Sequence, residues 1–200
     1  MVLSTSSITA VSGARQRRLF IVSAPSGAGK TTLCRAVLGR FPDMQYSISH
    51  TTRSPRKGEK DGVDYYFTSI QAFESGIKQH KWAEWARVYD NYYGTSAEFI
   101  DARIKAGNDV LLDIDVQGAS QIIRRYPACV TIFIMPPSLE SLRERLVTRE
   151  TDSSEVIEKR LKIAVDEISR RNLYRHVIVN DELPDAVAEL VSIIEMYRLN

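Results

Sequence analysis

The stretch that decides the fold is residues 19–31, LFIVSAPSGAGKT. Its first half, residues 19–24, is a short apolar run with β-branched side chains, which is typical of a strand covered on both faces. A glycine-rich turn follows, and residues 31–38 have helical spacing that ends at Gly39 and Pro42. This order of buried strand, tight turn and helix predicts an α/β fold.

The turn itself matches a phosphate-binding loop. Residues 24–31 fit the loop pattern at every fixed position except the first, which is alanine instead of glycine. Gly27 and Gly29 allow successive backbone N–H groups to point into one concavity, and the helix N-terminus adds partial positive charge. Lys30 can reach the β- and γ-phosphates of a nucleoside triphosphate, and the Thr31 hydroxyl can ligate Mg²⁺. A glycine-rich turn with an incidental lysine is the alternative, but the strand, loop and helix together favour triphosphate binding.

Apolar runs recur later and predict further buried strands at residues 110–115, 130–135 and 176–180, with a last helix over residues 184–197. Strands that alternate with helices imply a parallel sheet with helices on both faces. Asp113 and Asp115 end the first of these runs, where a parallel sheet opens its ligand crevice. Two carboxylates there suit contact with Mg²⁺, and turn or capping roles are the alternative. The nearby phosphate loop favours the metal site.

Two segments interrupt this alternation. Residues 46–95 hold most of the Tyr and Trp residues, together with turn signals, and predict a small antiparallel lobe. Residues 138–171 are highly charged and helical, a pattern that by itself also fits a solvated helical hairpin. Residues 1–18 predict a flexible N-terminal tail, with a transit peptide as the alternative. Residues 19–200 are then one domain.

Composition places the chain among soluble globular proteins, with 44% hydrophobic and 26% charged residues in 200 residues. No apolar run approaches the roughly 20 residues that cross a bilayer, so we expect no membrane partner. Cys34 and Cys129 form neither a Cys-x-x-Cys pair nor a zinc spacing. They are interpreted as packing residues in a reducing compartment, which predicts a cytoplasmic location.

Charge is distributed unevenly along the chain. Residues 1–42 contain six basic and no acidic residues, whereas the remainder holds 21 basic against 25 acidic residues. A protein that binds nucleic acid through its overall charge is expected to be basic throughout. The sequence therefore predicts a local phosphate site and no nucleic-acid partner.

The predicted lobe contains a candidate phosphate clamp. Ser49, Arg53, Arg56 and Tyr65 fall within one polar, turn-rich stretch, and the proline between the arginines stiffens their link. Paired arginines suit bidentate contact with a phosphate, and a solvated basic loop is the alternative.

A candidate base-recognition residue lies further along the lobe. Residues 82–85 read Trp-Ala-Glu-Trp, so that Glu84 lies between two large aromatic residues. A carboxylate there could accept hydrogen bonds from N1–H and the exocyclic amine of guanine, whereas the unprotonated N1 of adenine would fit poorly. An exposed glutamate on an amphipathic segment is the alternative. Residues 91–95, NYYGT, add a phenol and a hydroxyl that could complete a nucleotide pocket.

Taken together, these motifs resemble the guanylate kinases. The matching stretches are residues 23–31, 49–59, 91–95, 112–118 and 177–181. The resemblance runs from about Leu19 to the C-terminus. It implies a phosphate-loop NTPase core with a parallel sheet, a small GMP-binding lobe at 46–95 and a helical lid at 138–171. The implied reaction is ATP + GMP ⇌ ADP + GDP, with Mg²⁺ as the cofactor.

The resemblance also implies roles for individual residues. ATP would be bound by Ser26, Gly27, Ala28, Gly29, Lys30, Thr31, Thr32, Arg145 and Asn180, the last beside the adenine. The lid arginines Arg145, Arg149 and Arg160 would reach the ATP phosphates. The residues implied to act in catalysis are Lys30, Arg53, Arg149 and Arg160. Mg²⁺ would lie beside Thr31 and Asp113.

GMP would be bound by the second lobe and its border with the core. The implied guanine contacts are Ser49, Glu84 and Thr95, with Asp115 near the base. The implied contacts with the GMP phosphate are Arg53, Arg56, Tyr65 and Tyr93. The expected partners are the small molecules ATP and GMP, and the chain is expected to act as a monomer or a homodimer.

One departure from the family pattern lies in the lid. The family usually has Arg-Gly after the first lid helix, whereas here Arg149 is followed by Glu150. This places a carboxylate beside an implied phosphate contact and stiffens a hinge. A non-catalytic guanylate-kinase-like binding module is a rival interpretation, but such modules usually have a degraded phosphate loop. A regulatory GTPase would need an Asn-Lys-x-Asp motif, and a kinase for another monophosphate would conflict with Glu84.

Overall fold

The computed structural model describes residues 18–88, 90–148 and 153–199. Most of the predicted tail, residues 1–17, and the lid residues Arg149 and Glu150 lie outside the described residues. The strands, numbered in chain order, are β1 (Leu19–Ser23), β2 (Gln45–Ser47), β3 (His50–Thr51), β4 (Tyr66–Phe67), β5 (Trp82–Val88), β6 (Asn91–Ser96), β7 (Val110–Asp113), β8 (Val130–Met135) and β9 (His176–Val179). The helices are α1 (Lys30–Arg40), α2 (Ile70–Lys78), α3 (Ala97–Lys105), α4 (Val116–Arg125), α5 (Leu139–Val147), α6 (Ser154–Ser169) and α7 (Leu183–Leu199), with a 3-10 turn at Arg171–Leu173.

A five-stranded parallel sheet in the order β2-β7-β1-β8-β9 forms the centre of the protein. Each of the four predicted strands lies in this sheet, and the predicted parallel α/β core is confirmed. The prediction of burial is wrong for β9, because it is an edge strand whose Val177 and Val179 side chains are exposed. The fifth strand, β2, was missed because it is only three residues long and has no apolar run. Its pairing with β7 places Tyr46 and Ser47, which the predicted lobe included, in the core sheet instead.

Helices cover both faces of this sheet. On one face, Leu33 and Val37 of α1 pack with Leu190 and Ile194 of α7. On the other face, α3 and α4 contribute side chains such as Ile122. Each of these side chains is fully buried, and burial of a side chain of this size stabilises the fold by about 1.5–3 kcal/mol. The sheet is therefore held rigidly from both sides.

The strand order brings two loops together. β1 lies between β7 and β8, with Val22 paired to Asp113 on one side and to Ile132 on the other. Parallel neighbours end at the same edge of the sheet, where open α/β sheets bind ligands. The glycine-rich turn after β1 and the aspartates after β7 are therefore adjacent.

The lobe after β2 contains a four-stranded sheet in the order β4-β3-β6-β5. The β3–β6 and β5–β6 pairs are antiparallel, as the sequence predicted, but β3 and β4 are parallel. The parallel pair arises because residues 52–65 form a wide loop and not a hairpin. Helix α2 packs on this sheet through Phe73, whose ring stacks against Trp82 and Tyr92.

Helices α5 and α6 form a hairpin within the segment predicted as a lid. Their facing side chains are buried together and are Leu142, Leu146, Ile157, Leu161 and Ala164. Arg143 and Glu158 form an ion pair between the two helices on their exposed side. Among the helices of the described residues, none is both long enough and apolar enough to cross a membrane.

Candidate active site

The phosphate loop has the backbone geometry that the sequence predicts. Gly27 and Gly29 have φ angles of 98° and 93°, in the left-handed region that favours glycine. The Ala28 N–H donates a hydrogen bond to the Pro25 carbonyl at 3.0 Å and closes the turn. Ala24 does not have a positive φ, so alanine meets no backbone strain there. Helix α1 begins at Lys30, and the free N–H groups at a helix N-terminus directly after such a loop favour anion binding.

A buried side chain holds this loop from behind. Asn180, which is 4% exposed, donates a hydrogen bond from Nδ2 to the Ala28 carbonyl oxygen at 2.7 Å. A Cβ at Gly29 would collide with the same amide, so Gly29 is needed for space as well as for its φ. Arg145 of α5 donates to the Asn180 carbonyl oxygen at 2.9 Å. Asn180 therefore links the phosphate loop to the lid.

The loop, α5 and the segment after β9 line an open cavity of about 540 Å³. The residues implied to bind ATP that line it are Gly27, Gly29, Thr32, Arg145 and Asn180. Ala28 is fully buried in the hydrophobic core, and its backbone N–H and carbonyl groups form hydrogen bonds with Pro25 and Asn180. The position and size of this cavity suit the donor nucleotide.

A second cavity of about 720 Å³ lies between the phosphate loop and the smaller lobe. The predicted site residues that line it are Ser26, Gly27, Gly29, Lys30, Thr31, Thr32, Ser49, Tyr65, Glu84, Tyr93, Asp113 and Asp115. The two cavities share Gly27, Gly29 and Thr32. Two ligands would therefore meet at the phosphate loop.

Lys30 is paired with Asp113 at the floor of this cavity. Its ammonium group forms an ion pair with the Asp113 carboxylate and lies 3.4 Å from the Ile114 carbonyl oxygen. Burial alone would lower the pKa of Lys30, but the charge and hydrogen bond of Asp113 outweigh burial and raise it. Lys30 is thus held in its cationic form.

The residues beside Lys30 fit a magnesium ion that arrives with a nucleotide. The exposed Thr31 hydroxyl and the Asp113 carboxylate are oxygen donors, the kind that Mg²⁺ prefers. Within the described residues, no group of three or more His, Cys, Asp and Glu side chains could hold a metal by itself. Magnesium is commonly held by one or two protein oxygens together with substrate phosphates.

The two aspartates after β7 have different roles. Asp115 accepts a hydrogen bond from the Gly118 N–H at 2.8 Å and caps the N-terminus of α4. The capping role left open by the sequence therefore holds for Asp115, which also lines the second cavity. Asp113 instead faces Lys30.

Glu84 is buried at the end of the second cavity. It is 6% exposed, and its Oε1 accepts a hydrogen bond from the Thr95 hydroxyl at 2.6 Å. Ala83 packs in the core and Glu84 faces the cavity, because successive side chains of a strand point to opposite faces; the pairing of β5 with β6 has an irregularity between Trp82 and Glu84. The alternative of an exposed glutamate is wrong. Burial raises the pKa of Glu84 to about 7, the charge of Asp115 adds to this, and the Thr95 hydrogen bond opposes it.

The candidate phosphate clamp is partly assembled. The Arg53 guanidinium carbon lies 5.4 Å from the Tyr65 ring centroid, and the Tyr65 and Tyr93 rings are 5.9 Å apart. Arg53 donates to Glu59 Oε1 at 2.9 Å, and this hydrogen bond is the main cause of its raised pKa. The Arg56 side chain is exposed, and its backbone N–H donates to Glu59 Oε2 at 2.7 Å. The structure therefore brings Arg53, Tyr65 and Tyr93 together but not Arg56.

Two site residues were missed by the sequence analysis. Glu59, three residues after Arg56, bridges the loop that carries both arginines. Glu167 of α6 lines the second cavity, and burial, with the charge of Asp115, raises its pKa to about 7. A signal for Glu167 was present, because it continues the helical spacing of the buried residues Leu161 and Ala164. Arg160 is half-buried on the same helix.

A phosphate loop after the central strand, an adjoining lobe with a buried carboxylate and a helical lid define a phosphotransferase of the P-loop class. The guanylate kinase family model matches residues 16–197. The chain is 49% identical over 180 residues to a guanylate kinase of Geobacter sulfurreducens, covering 90% of this chain and 89% of the relative. It is 52% identical over 176 residues to one of Syntrophotalea carbinolica, covering 88% and 84%.

A solved structure agrees with these relatives. The crystal structure of guanylate kinase from Anaplasma phagocytophilum superposes with a TM-score of 0.78 at 33% identity, covering 93% of this chain and 88% of that one. The chain belongs to the guanylate kinase family. Its reaction is the ATP-dependent phosphorylation of GMP to GDP.

Proposed function

We propose that the second cavity is the GMP site and that Glu84 selects the base there. The observation that supports this most strongly is a buried carboxylate, fixed by Thr95, at the end of a cavity that begins at the phosphate loop. Two carboxylate oxygens match the N1–H and the exocyclic amine of guanine. Ser49 and Asp115 line the same cavity and would complete the base contacts.

The GMP phosphate would then lie between the base pocket and the phosphate loop. Arg53, Tyr65 and Tyr93 are already adjacent there. A phosphate in this place would compete with Glu59 for the Arg53 guanidinium, and the exposed Arg56 would turn inward to meet it. The clamp would thus be completed by the substrate.

The first cavity would hold ATP. The loop residues Ser26–Thr32 would surround its phosphates, with Lys30 exchanging Asp113 for phosphate oxygens. Asn180 and Arg145 line the remainder of this cavity, where the adenosine would lie. From the lid, Arg160 would reach the phosphates, and we assign the same role to Arg149.

The reaction requires the protein to supply positive charge and to position the two phosphates, but it does not require a general base. The second pKa of a phosphate monoester is near 6, so GMP is mostly a dianion at pH 7 and is already a nucleophile. Its repulsion from the γ-phosphate has to be offset, by Arg53 and Arg56 on one side and by Lys30 and the lid arginines on the other. Mg²⁺, held by Thr31 and Asp113 with the ATP phosphates, would supply further positive charge.

Alignment of the two nucleotides would complete catalysis. Closure of the lobe and the lid would bring the phosphates into line and exclude water, which competes as an acceptor. The chain would act as a monomer or a homodimer. The buried thiols of Cys34 and Cys129 support a reducing, cytoplasmic location.

Acceptor specificity tests this proposal. ADP release from ATP and Mg²⁺ is measured in parallel with GMP, AMP, CMP, UMP and dTMP, for the wild type and for Glu84→Gln. We expect strong preference for GMP in the wild type and loss of that preference in the variant. A preference that survives in Glu84→Gln would show that another residue reads the base.

A further inference from the structure

We propose that Gly118 and Gln121 of helix α4 are positioning residues that set the base specificity through Glu84, without touching the nucleotide. The inference rests on the base-reading role proposed for Glu84. Neither Gly118 nor Gln121 lines the cavity. Both instead contact strand β5 at Glu84 or at the residue after it.

Gly118 provides the space that the Glu84 carboxylate occupies. A Cβ at Gly118 would lie 2.5 Å from Glu84 Oε2 and 2.9 Å from its Cδ, closer than nonbonded atoms approach. Glu84 Oε1 is held on its other side by the Thr95 hydroxyl at 2.6 Å. The carboxylate is therefore confined between a hydroxyl and the backbone of α4, and glycine is required for close approach.

Gln121, one turn further along α4, fixes the backbone beside Glu84. Its Nε2 donates to the Trp85 carbonyl oxygen at 2.7 Å, and its Oε1 accepts from the Trp85 N–H at 3.2 Å. Strand β5 lies at the edge of its sheet, so in the part of the chain that the structure describes no further strand pairs with it on that side. The Gln121 amide thus makes the two hydrogen bonds to Trp85 that a neighbouring strand would otherwise make.

A third contact extends the same stripe of α4. Arg125 donates to the Trp82 carbonyl oxygen at 3.3 Å, on the other side of the irregularity in the β5–β6 pairing. Positions 118, 121 and 125 have the spacing of one helix face, and they meet β5 at three points around this irregularity. Helix α4 is therefore the platform against which the base-reading carboxylate is set.

The decisive variant is Gly118→Ala. Alanine is favoured over glycine inside a helix by about 1 kcal/mol, so helix propensity does not predict unfolding. The methyl group must displace the Glu84 carboxylate, however. We expect KM for GMP to rise about 10-fold or more, with KM for ATP unchanged. The matched control is Gly39→Ala in α1, where a Cβ would meet nothing within 4 Å; it should leave both constants unchanged.

Comparison of GMP with IMP distinguishes a specific displacement of the Glu84 carboxylate from a general loss of order in the site. IMP lacks the exocyclic amine, so the GMP/IMP ratio of kcat/KM reports the contact of Glu84 with that amine. Gly118→Ala, and Gln121→Leu to a smaller extent, should lower this ratio. A purely structural role would lower the values for both substrates equally, and that result would overturn the inference.

A double-mutant cycle tests whether the effect acts through Glu84. In a Glu84→Ala background, Gly118→Ala has no carboxylate to displace and should not change GMP affinity, measured by calorimetry, any further. An equal additional loss in that background would overturn the inference alone. If Glu84→Ala by itself retains the GMP preference, the proposed base reader fails, so the two failures are distinguishable.

Discussion

Lys30 and Asp113 form an ion pair at the point where β1 and β7 end side by side. One residue begins the helix after the phosphate loop, and the other is the last residue of the neighbouring strand. The lysine proposed to bind ATP phosphates is therefore held in the second cavity, next to Gly29, which lines both cavities. On the proposed role, Lys30 exchanges Asp113 for phosphate oxygens in each turnover.

Lys30→Ala should lower kcat by about 100-fold or more, because it removes positive charge from the transferring phosphoryl group. GMP binding should persist, since most of its proposed contacts come from the other lobe. Steady-state kinetics and GMP calorimetry check this, with Lys105→Ala at the exposed end of α3 as the control. Near-normal turnover in Lys30→Ala would contradict the proposed role.

Glu84→Gln should weaken GMP binding by about 2–4 kcal/mol, because a charge-assisted acceptor is replaced by a group that also carries a donor. ATP binding should not change. Calorimetry with each nucleotide measures both effects. Unchanged GMP affinity would remove Glu84 from the base site.

GMP affinity should rise with pH between about 6 and 8 more steeply in the wild type than in Glu84→Gln. Burial, with the charge of Asp115, raises the pKa of Glu84 to about 7, against the Thr95 hydrogen bond and the charge of Lys30. Only its ionised form leaves both carboxylate oxygens able to accept hydrogen bonds from guanine, while Oε1 also accepts from Thr95. The GMP phosphate titrates in the same window in both proteins, so the difference between the two binding curves isolates Glu84. Parallel curves would contradict this prediction.

In the Glu167→Gln variant, the free energy of unfolding should fall less steeply with rising pH than in the wild type. Burial raises the pKa of Glu167 to about 7 from an ordinary value of 4.5, so the folded protein holds this proton more tightly than the unfolded chain. The free energy of unfolding therefore falls as pH rises through about 4.5 to 7. Urea unfolding at pH 5 and pH 7.5 measures the slope, with Glu189→Gln on the exposed face of α7 as the control. An unaltered slope in Glu167→Gln would argue against its burial.

Arg198→Ala should destabilise the fold by about 3 kcal/mol and leave kcat unchanged, because it breaks a buried ion pair far from the cavities. Arg198 Nε lies 2.9 Å from Asp109 Oδ2, with side chains 11% and 1% exposed. Arg198 also pairs with Asp43. These contacts lie at the amino ends of the parallel strands, opposite the active site.

Arg40→Ala is the matched control for Arg198→Ala. Arg40 pairs with Glu195 at 3.6 Å, with side chains 66% and 43% exposed. Such a surface pair contributes about 0–1 kcal/mol. Equal losses of stability in the two variants would contradict the distinction between the buried and the exposed pair.

The parts of the site that could be predicted from sequence are those coded by local rules. The phosphate loop is identified by two glycines, which the structure shows at positive φ. The apolar strands are identified by their own residues, without knowledge of the strands they pair with. The short strand β2 could not be predicted, because only its pairing with β7 makes it a strand. The parallel β3–β4 pair was missed for the same reason.

The supporting residues of the site depend on tertiary contacts and could not be found in this way. Glu59 is recognisable only when its hydrogen bond to Arg53 is seen. Gly118 would pass as an ordinary helical glycine until Glu84 is found against it. From sequence, Asp115 fitted either a helix cap or a ligand-binding residue. The hydrogen bond that it accepts from the Gly118 N–H shows the capping role, and the same residue also lines the second cavity.

Gly27 of the phosphate loop and helix α5 of the lid constrain each other through direct packing. A Cβ at this position would lie 3.0 Å from both Leu142 and Leu146 of α5, so the lid helix rests directly on the phosphate loop. The lid is therefore not an exchangeable module. A chimera that takes α5 from a relative will work only where the transplanted side chains at 142 and 146 reproduce the shape that fits this glycine.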